Sequence, residues 1–210
     1  MRKFVASSLA VGAATAGMIA LSAPSALAAT WTVTNPDSSG TFTSALLSGT
    51  TVAFRDTTTS QPFTCTSSSI PGTATSGTGK PDTGLATLST GSFSGCKGNL
   101  GSTGTATLTS GSLNGVSYSS GVTTGTITGV NATLSISDLL GTCSAAVSGE
   151  VDNVTYTNST GQLKVVADTT PHLTITSATG SGCAGLINAG DSATFAATYV
   201  VSPVITVTSP

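Results

Sequence analysis

The stretch VNATLSIS, residues 130–137, alternates apolar side chains with short polar ones. A period of two is typical of a β-strand that has one face on a core and the other face in water. The stretch ATFAATYVV, residues 193–201, extends the same kind of alternation, and shorter examples lie at 163–167 and 173–175. The sequence therefore predicts an all-β chain.

Serine, threonine and glycine dominate the chain beyond its N-terminal segment, and charged residues make up only 7% of the whole. Flexible linkers and mucin-like stalks share such a composition. Threonine is β-branched, however, and fits the solvent-facing side of a pleated sheet. The alternation favours the sheet, with a surface that is polar through hydroxyl groups.

The N-terminal segment has the features of a secretory signal peptide over residues 1–28. Arg2 and Lys3 precede an apolar stretch, and an Ala-Leu-Ala cleavage signal occupies 26–28. A transmembrane anchor is the alternative, but serines and glycines interrupt the apolar stretch. We therefore expect one secreted β domain over residues 29–210, with no membrane span in the mature chain.

The mature chain carries few charges. Arg55, Lys80, Lys97 and Lys164 are its four cations, and its eight acidic residues give it a net charge of −4. Nucleic-acid binding and attachment to anionic lipid both need clustered lysine or arginine. Four scattered cations argue against both kinds of partner.

An internal similarity divides the mature chain into two halves of about 29–120 and 121–210. Residues 88–108, LSTGSFSGCKGNLGSTGTATL, align with residues 175–195, ITSATGSGCAGLINAGDSATF. Each half has a strand that ends in Asp, then a Thr-Cys pair, and later a Ser-Gly-Cys-x-Gly segment. This order predicts a duplicated structural unit.

The duplication also predicts how the cysteines pair. Four cysteines in an exported chain imply two disulfides, and three pairings are open to them. Related halves favour the same closure in each, which is Cys65 with Cys96 and Cys143 with Cys183. The predicted fold is an antiparallel β-sandwich or partly closed barrel of two similar halves, each with one disulfide.

Two glycine-rich or proline-rich segments interrupt the predicted strands. The segment from Pro71 to Pro81 is expected to be a long exposed loop. Gly180, Gly182 and Gly185 match the spacing of a dinucleotide-binding loop, but neither a helix nor a suitably placed acidic residue follows. A turn held by Cys183 is the better interpretation of that segment.

The sequence offers little for catalysis by a nucleophile or for metal binding. His172 is the single histidine. It could pair with Asp168 in a triad, but no Gly-x-Ser-x-Gly segment supplies a nucleophile. Glu150, Asp152 and Asn153 could offer oxygens to calcium, although a hydrated hairpin turn is the simpler interpretation. No cofactor, metal or catalytic residue is predicted.

Two carboxylates and two aromatic rings remain as candidates for sugar chemistry. Asp56 and Asp138 lie at equivalent strand ends, as the opposed acids of a glycosidase would, or they form Asx turns. Trp31 and Tyr118 are possible ligand-binding rings that could stack on sugars, or they pack on the core.

Three stretches resemble a group of small exported β-rich proteins from Streptomyces and related actinobacteria. They are residues 121–138, GVTTGTITGVNATLSISD, residues 154–165, VTYTNSTGQLKV, and residues 181–210. The resemblance implies export from a Gram-positive bacterium and a cysteine-tied β fold. It carries over no catalytic or binding residue.

These observations predict a non-enzymatic secreted or cell-wall-associated protein with a structural or adhesive role. Cell-wall or extracellular polysaccharide is the expected partner. The alternatives are a carbohydrate-binding module and a glycoside hydrolase.

Overall fold

The structure, a computed structural model, describes residues 30–183 and 185–209, so the predicted signal peptide lies outside it. The described chain is all-β, as the alternation predicts. Its strands are β1 Trp31–Thr34, β2 Thr41–Leu46, β3 Val52–Asp56, β4 Pro62–Cys65, β5 Ser67–Thr73, β6 Gly77–Lys80, β7 Ala86–Leu88, β8 Gly91–Gly98, β9 Thr103–Ser119, β10 Val122–Asp138, β11 Gly141–Thr157, β12 Gln162–Val165, β13 Leu173–Thr179, β14 Ser192–Ser202 and β15 Thr206–Thr208. Short 3-10 helices lie at Asn99–Gly101, after β8, and at Ser181–Cys183, after β13.

Three long strands, β9, β10 and β11, form the centre of the larger sheet, and β10 pairs with both of its neighbours along its length. Shorter strands complete two antiparallel circuits around this centre. One circuit, which we call the disulfide end, runs β3–β4–β8–β9–β10–β11–β13–β14 and returns to β3. The other, the tryptophan end, runs β2–β5–β7–β9–β10–β11–β12–β14 and returns to β2. The larger sheet is therefore a closed antiparallel barrel.

The predicted twofold organisation is present at the disulfide end. The first half of the chain supplies β3, β4, β8 and β9 in that order, and the second half supplies β10, β11, β13 and β14. The two sets join where β9 meets β10 and where β14 meets β3. The turn between β9 and β10 occupies residues 120–121.

Both predicted disulfides are confirmed. Cys65 on β4 is bonded to Cys96 on β8, and Cys143 on β11 is bonded to Cys183 in the second 3-10 helix. All four cysteines are buried. Each half is therefore closed by its own covalent link.

The alternation of residues 130–137 translates directly into burial. Val130, Ala132, Leu134 and Ile136 are buried in the barrel, whereas the polar residues between them are exposed. A closed sheet has a single interior, so every strand with this pattern turns its apolar side chains into the same core.

A small second sheet packs at the tryptophan end. It has the order β15–β1–β6. Val33 on β1 and Val207 on β15 pair with each other and face a small cavity that Leu113 on β9 and Val154 on β11 also line. The first described strand, β1, therefore packs against the interior of the barrel.

The prediction of a long loop between Pro71 and Pro81 is wrong. Residues 67–73 form β5, in which buried and exposed residues alternate, and residues 77–80 form β6. Thr43 on β2 lies opposite Pro71, and the Pro71 carbonyl accepts a hydrogen bond from the backbone N–H of Ser89. Strand partners on both sides hold a segment whose own composition is typical of a loop.

No helix with the length and apolar character of a membrane span occurs in residues 30–183 or 185–209.

Candidate functional site

An apolar cavity of about 130 Å³ lies inside the barrel. Side chains from both halves of the chain line it. They include Phe54, Phe63, Phe93, Leu134, Ile136 and Phe195. A cavity of similar size, about 150 Å³ and lined by aliphatic and aromatic groups, takes up benzene in other proteins. The space is therefore large enough for one small ring.

Three phenylalanines form an aromatic cluster on one side of this cavity. The ring of Phe54 lies 5.3 Å from that of Phe93 and 5.0 Å from that of Phe195, measured between centroids. Phe93 and Phe195 are 6.2 Å apart, with their planes nearly perpendicular. Edge-to-face arrangements of this kind are favourable and present both faces and edges to a neighbouring group.

Asp56 and Asp138 also line the cavity, at the disulfide end. Asp56 ends β3 and Asp138 ends β10, and three strands separate β3 from β10 in either direction around the circuit. The two acids therefore lie on opposite sides of the barrel. The two acids that the sequence placed at equivalent strand ends therefore face the same cavity without being neighbours.

Both carboxylates stabilise the turns that follow them. Asp56 Oδ1 accepts hydrogen bonds from the backbone N–H groups of Thr58 and Thr59, at 2.9 and 3.0 Å. Asp138 Oδ1 accepts them from Leu140 and Gly141, at 2.7 and 3.1 Å. This is the Asx-turn role that the sequence offered as the alternative to catalysis.

Asp56 is the more deeply placed of the two acids. It is 6% exposed, and its Oδ2 atom is buried with no hydrogen-bond partner among residues 30–183 and 185–209. Burial raises the pKa of the Asp56 carboxyl, and repulsion from the nearby Asp191 carboxylate adds to the shift, while hydrogen bonds from Thr59 oppose it. A buried oxygen without a partner is costly unless something else occupies the space beside it.

Ser44 provides a second polar atom of this kind on the same cavity. It lies on β2, in the circuit at the tryptophan end, and is 1% exposed. Its hydroxyl oxygen is buried, and none of the residues that the structure describes forms a hydrogen bond with it. No local pattern in the sequence singles out Ser44, because its burial follows from the closure of the barrel.

A separate polar cluster forms on the outside of the barrel, at β11 and the start of β13. His172 Nδ1 lies 2.5 Å from Asp152 Oδ2 and 3.9 Å from Glu150 Oε1. The three ligand atoms lie within 4.8 Å of one another. An imidazole nitrogen with two carboxylate oxygens could hold a divalent cation, but all three side chains are open to water and pair with each other.

The pairing of His172 with Asp168 that a catalytic triad would need does not form. Asp168 instead accepts hydrogen bonds from the side-chain amide of Asn153, at 2.8 Å, and from the backbone N–H groups of Asp152 and Asn153. Asp168 therefore holds the segment that follows β12 against β11 through these hydrogen bonds. The proximity of Glu150 and Asp152 to His172 depends on the pairing of β11 with β13, which the sequence did not reveal.

The two candidate sugar-binding rings lie at the tryptophan end. Trp31 is 1% exposed, and its ring packs over Gly115 on β9, so it belongs to the core and offers no face to a polysaccharide. Tyr118 is partly buried and packs against the core.

The fold and its cavity define a disulfide-linked antiparallel β-barrel with an apolar interior. Comparison of the chain with protein-family models, with curated proteins and with solved structures gives no match.

Proposed function

We propose that this chain is a non-enzymatic, exported protein that adheres to cell-wall or extracellular polysaccharide through its outer surface. Two intrachain disulfides support export, because such bonds persist in oxidising compartments. The signal-peptide pattern of residues 1–28 and the resemblance to exported actinobacterial proteins point the same way.

One observation carries the adhesive role: a continuous array of exposed hydroxyl groups on the outside of β9, β10, β11 and β13. We call this array the hydroxyl face. Its members are Thr103, Thr105, Thr133, Ser135, Ser137, Thr142, Ser144 and Thr179.

Strand register arranges the hydroxyl face in rows. Thr105, Ser135, Ser144 and Thr179 lie directly opposite one another across the four strands. Neighbours in such a row are about 5 Å apart, and successive rows on a strand are about 7 Å apart. The result is a repeating surface of hydrogen-bond donors and acceptors.

The hydroxyl face has no charged member, which suits a polysaccharide partner. Hydroxyl groups exchange hydrogen bonds with sugar hydroxyls without the large desolvation penalty of an ion. The burial of Trp31 favours this surface over ring stacking at that residue. We therefore place adhesion on the strands and not on an aromatic platform.

The test is a depletion assay with insoluble cellulose, chitin and peptidoglycan. We expect the unmodified chain to be retained on at least one of them and the polysaccharide to remain unhydrolysed. A triple variant, Thr105→Glu with Thr133→Glu and Ser135→Glu, should lose retention because its carboxylates need hydration at the contact.

A matched control carries Thr43→Glu, Thr64→Glu and Ser69→Glu, at exposed positions on β2, β4 and β5. These strands lie across the barrel from β10, and the control has the same net charge as the first variant. It should be retained as the unmodified chain is. Equal loss in both variants, or no retention of the unmodified chain, would refute the proposal.

A further inference from the structure

The interior of the barrel contains a combination that the adhesive role does not explain. The cavity is lined mainly by aliphatic and aromatic side chains, yet two of its lining residues carry buried polar atoms that have no hydrogen-bond partner in the described part of the chain. They are Asp56 Oδ2 at the disulfide end and Ser44 Oγ toward the tryptophan end. Native proteins rarely leave such atoms unpaired, and each one calls for an explanation.

Ordered water is a poor explanation for the whole cavity. A buried water is held by two to four polar partners, as a rule, and purely apolar cavities of this size stay dry. Here most of the lining offers no hydrogen bond, and the polar atoms lie toward different ends. A molecule with an apolar body and a polar group fits the lining better than water alone.

The geometry of the aromatic cluster defines the body of such a molecule. The rings of Phe54, Phe93 and Phe195 lie on the cavity wall. Their centroids are 5.0 to 6.2 Å apart. Phe54 and Phe195 are only partly buried although both line the cavity. A further ring can pack on them with the offset or edge-to-face contacts that they already make with each other.

The chemistry of Asp56 defines the polar group. Its Oδ1 atom is occupied by two backbone N–H groups, so Oδ2 is the atom left to accept a hydrogen bond. The Asp191 carboxyl, which is not among the lining residues, lies within hydrogen-bonding reach of the Asp56 carboxyl and adds negative charge beside it. An amine or hydroxyl donor satisfies this atom, whereas a carboxylate would be repelled.

We propose that the cavity is a binding site for a compact aromatic molecule that carries one hydrogen-bond donor, an amine or a hydroxyl, for Asp56 Oδ2. The ring packs on the phenylalanine cluster, and the donor points to the disulfide end, where the mouth is polar. This site is internal and separate from the hydroxyl face, so neither proposal depends on the other.

Four small probes test the assignment: benzylamine, benzyl alcohol, toluene and benzoate. Each is titrated into the full chain with labelled methyl groups and followed by NMR. Binding in the cavity moves the methyl signals of Leu134, Ile136 and Ile175, which line it, and leaves that of the exposed Val116 in place. We expect benzylamine and benzyl alcohol to bind about tenfold or more tightly than toluene, and benzoate to be excluded.

Two substitutions compare the contribution of the buried Asp56 to probe binding with that of Asp138, the equivalent acid of the other half. Asp56→Asn retains an oxygen for the turn and replaces the free acceptor by an amide N–H, so benzylamine should lose its advantage over toluene. Asp138→Asn removes a charge from another lining residue without changing the free acceptor, so it should lower benzylamine affinity less than Asp56→Asn does. Ala145→Leu fills part of the cavity and should abolish binding of every probe.

The assignment is overturned if no probe moves the cavity methyl signals, because that leaves ordered water as the occupant. Equal affinity for toluene and benzylamine, or equal effects of Asp56→Asn and Asp138→Asn, also overturns it. These readouts use the unmodified chain or folded single variants, so a failure of Ala145→Leu to fold leaves the test intact. Loss of polysaccharide retention in the earlier assay has no bearing on them.

Discussion

Asp56 and Asp138 make the same pair of backbone hydrogen bonds on opposite sides of the barrel, although Asp56 is buried and Asp138 is partly exposed. The shared turn geometry reflects the duplication, and the different burial reflects the surroundings. The loop that carries Asp191 runs into β14, which pairs with β3, so Asp56 has a second acid beside it. The two positions are alike in local structure and different in chemistry.

The first prediction concerns the pH dependence of stability. Burial, with Asp191, raises the pKa of Asp56 above that of an exposed aspartate. The folded chain therefore holds a proton where the unfolded chain has released it. This contribution to stability is complete below the unfolded pKa and is lost as pH rises through the folded pKa.

Asp56→Asn should remove that contribution. The free energy of unfolding of the variant, minus that of the unmodified chain, should increase as the pH rises above the pKa of an exposed aspartate and through the raised pKa of Asp56. Urea unfolding in matched buffers measures it. A difference that stays constant over this range would contradict the raised pKa.

The second prediction compares the disulfides of the two halves. The bonds Cys65–Cys96 and Cys143–Cys183 span 31 and 40 residues. Closing loops of this length is worth roughly 3 to 4 kcal/mol each in the chain-entropy description. Replacing either pair with alanine should lower the free energy of unfolding by about this amount, and by nearly the same amount in both halves. A loss confined to one pair would show that the halves do not depend on their bonds equally.

The third prediction uses Trp31, the single tryptophan, as a reporter. A Cβ atom added at Gly115 would lie 2.5 Å from Cζ2 of the Trp31 ring, which is too close for two carbon atoms. Gly115→Ala should displace the ring, shift its fluorescence emission to the red and destabilise the fold by about 1 to 3 kcal/mol.

Gly77→Ala is the matched control for that experiment. Gly77 lies on β6 beside β1, and the atom nearest to an added Cβ is Cε of the flexible Lys80 side chain, at 3.3 Å. This variant should keep the emission of the unmodified chain. If Gly115→Ala left the emission unchanged too, the packing of Trp31 over Gly115 would be wrong.

The fourth prediction concerns a buried hydroxyl pair. Tyr199 is 1% exposed, and its hydroxyl lies 3.4 Å from Ser68 Oγ. Ser68→Ala leaves a buried phenol without a partner, which should cost about 1 to 3 kcal/mol. Tyr199→Phe leaves the serine hydroxyl alone in the same way. The double variant should therefore lose less stability than the sum of the single variants, and strict additivity would argue against the hydrogen bond.

The alternation of apolar and polar residues and the similarity of the two halves were enough to predict the strands and the disulfides. The alternation at 130–137 defines the strand register, because a shift of the register by one residue would expose every apolar side chain to water. The cysteine pairing could be predicted from the similarity of the halves, because two halves of similar structure place their cysteines at equivalent positions and can form the same disulfide. The segment from Pro71 to Pro81 was missed because its glycines, serines and prolines have low strand preference, and only the partners β2, β7 and β1 make it a strand.

The all-β architecture, the inward and outward faces of the long strands, and the two disulfides can be predicted from the chain alone, because these depend on periodicity and repetition along it. Tertiary structure alone decided the closure of the barrel, the burial of Asp56 and Ser44 beside an apolar cavity, and the meeting of His172 with Asp152. These features arise between residues far apart in sequence. The burial of each residue and the charges around it depend on which strands become neighbours, and no local sequence pattern specifies those neighbours.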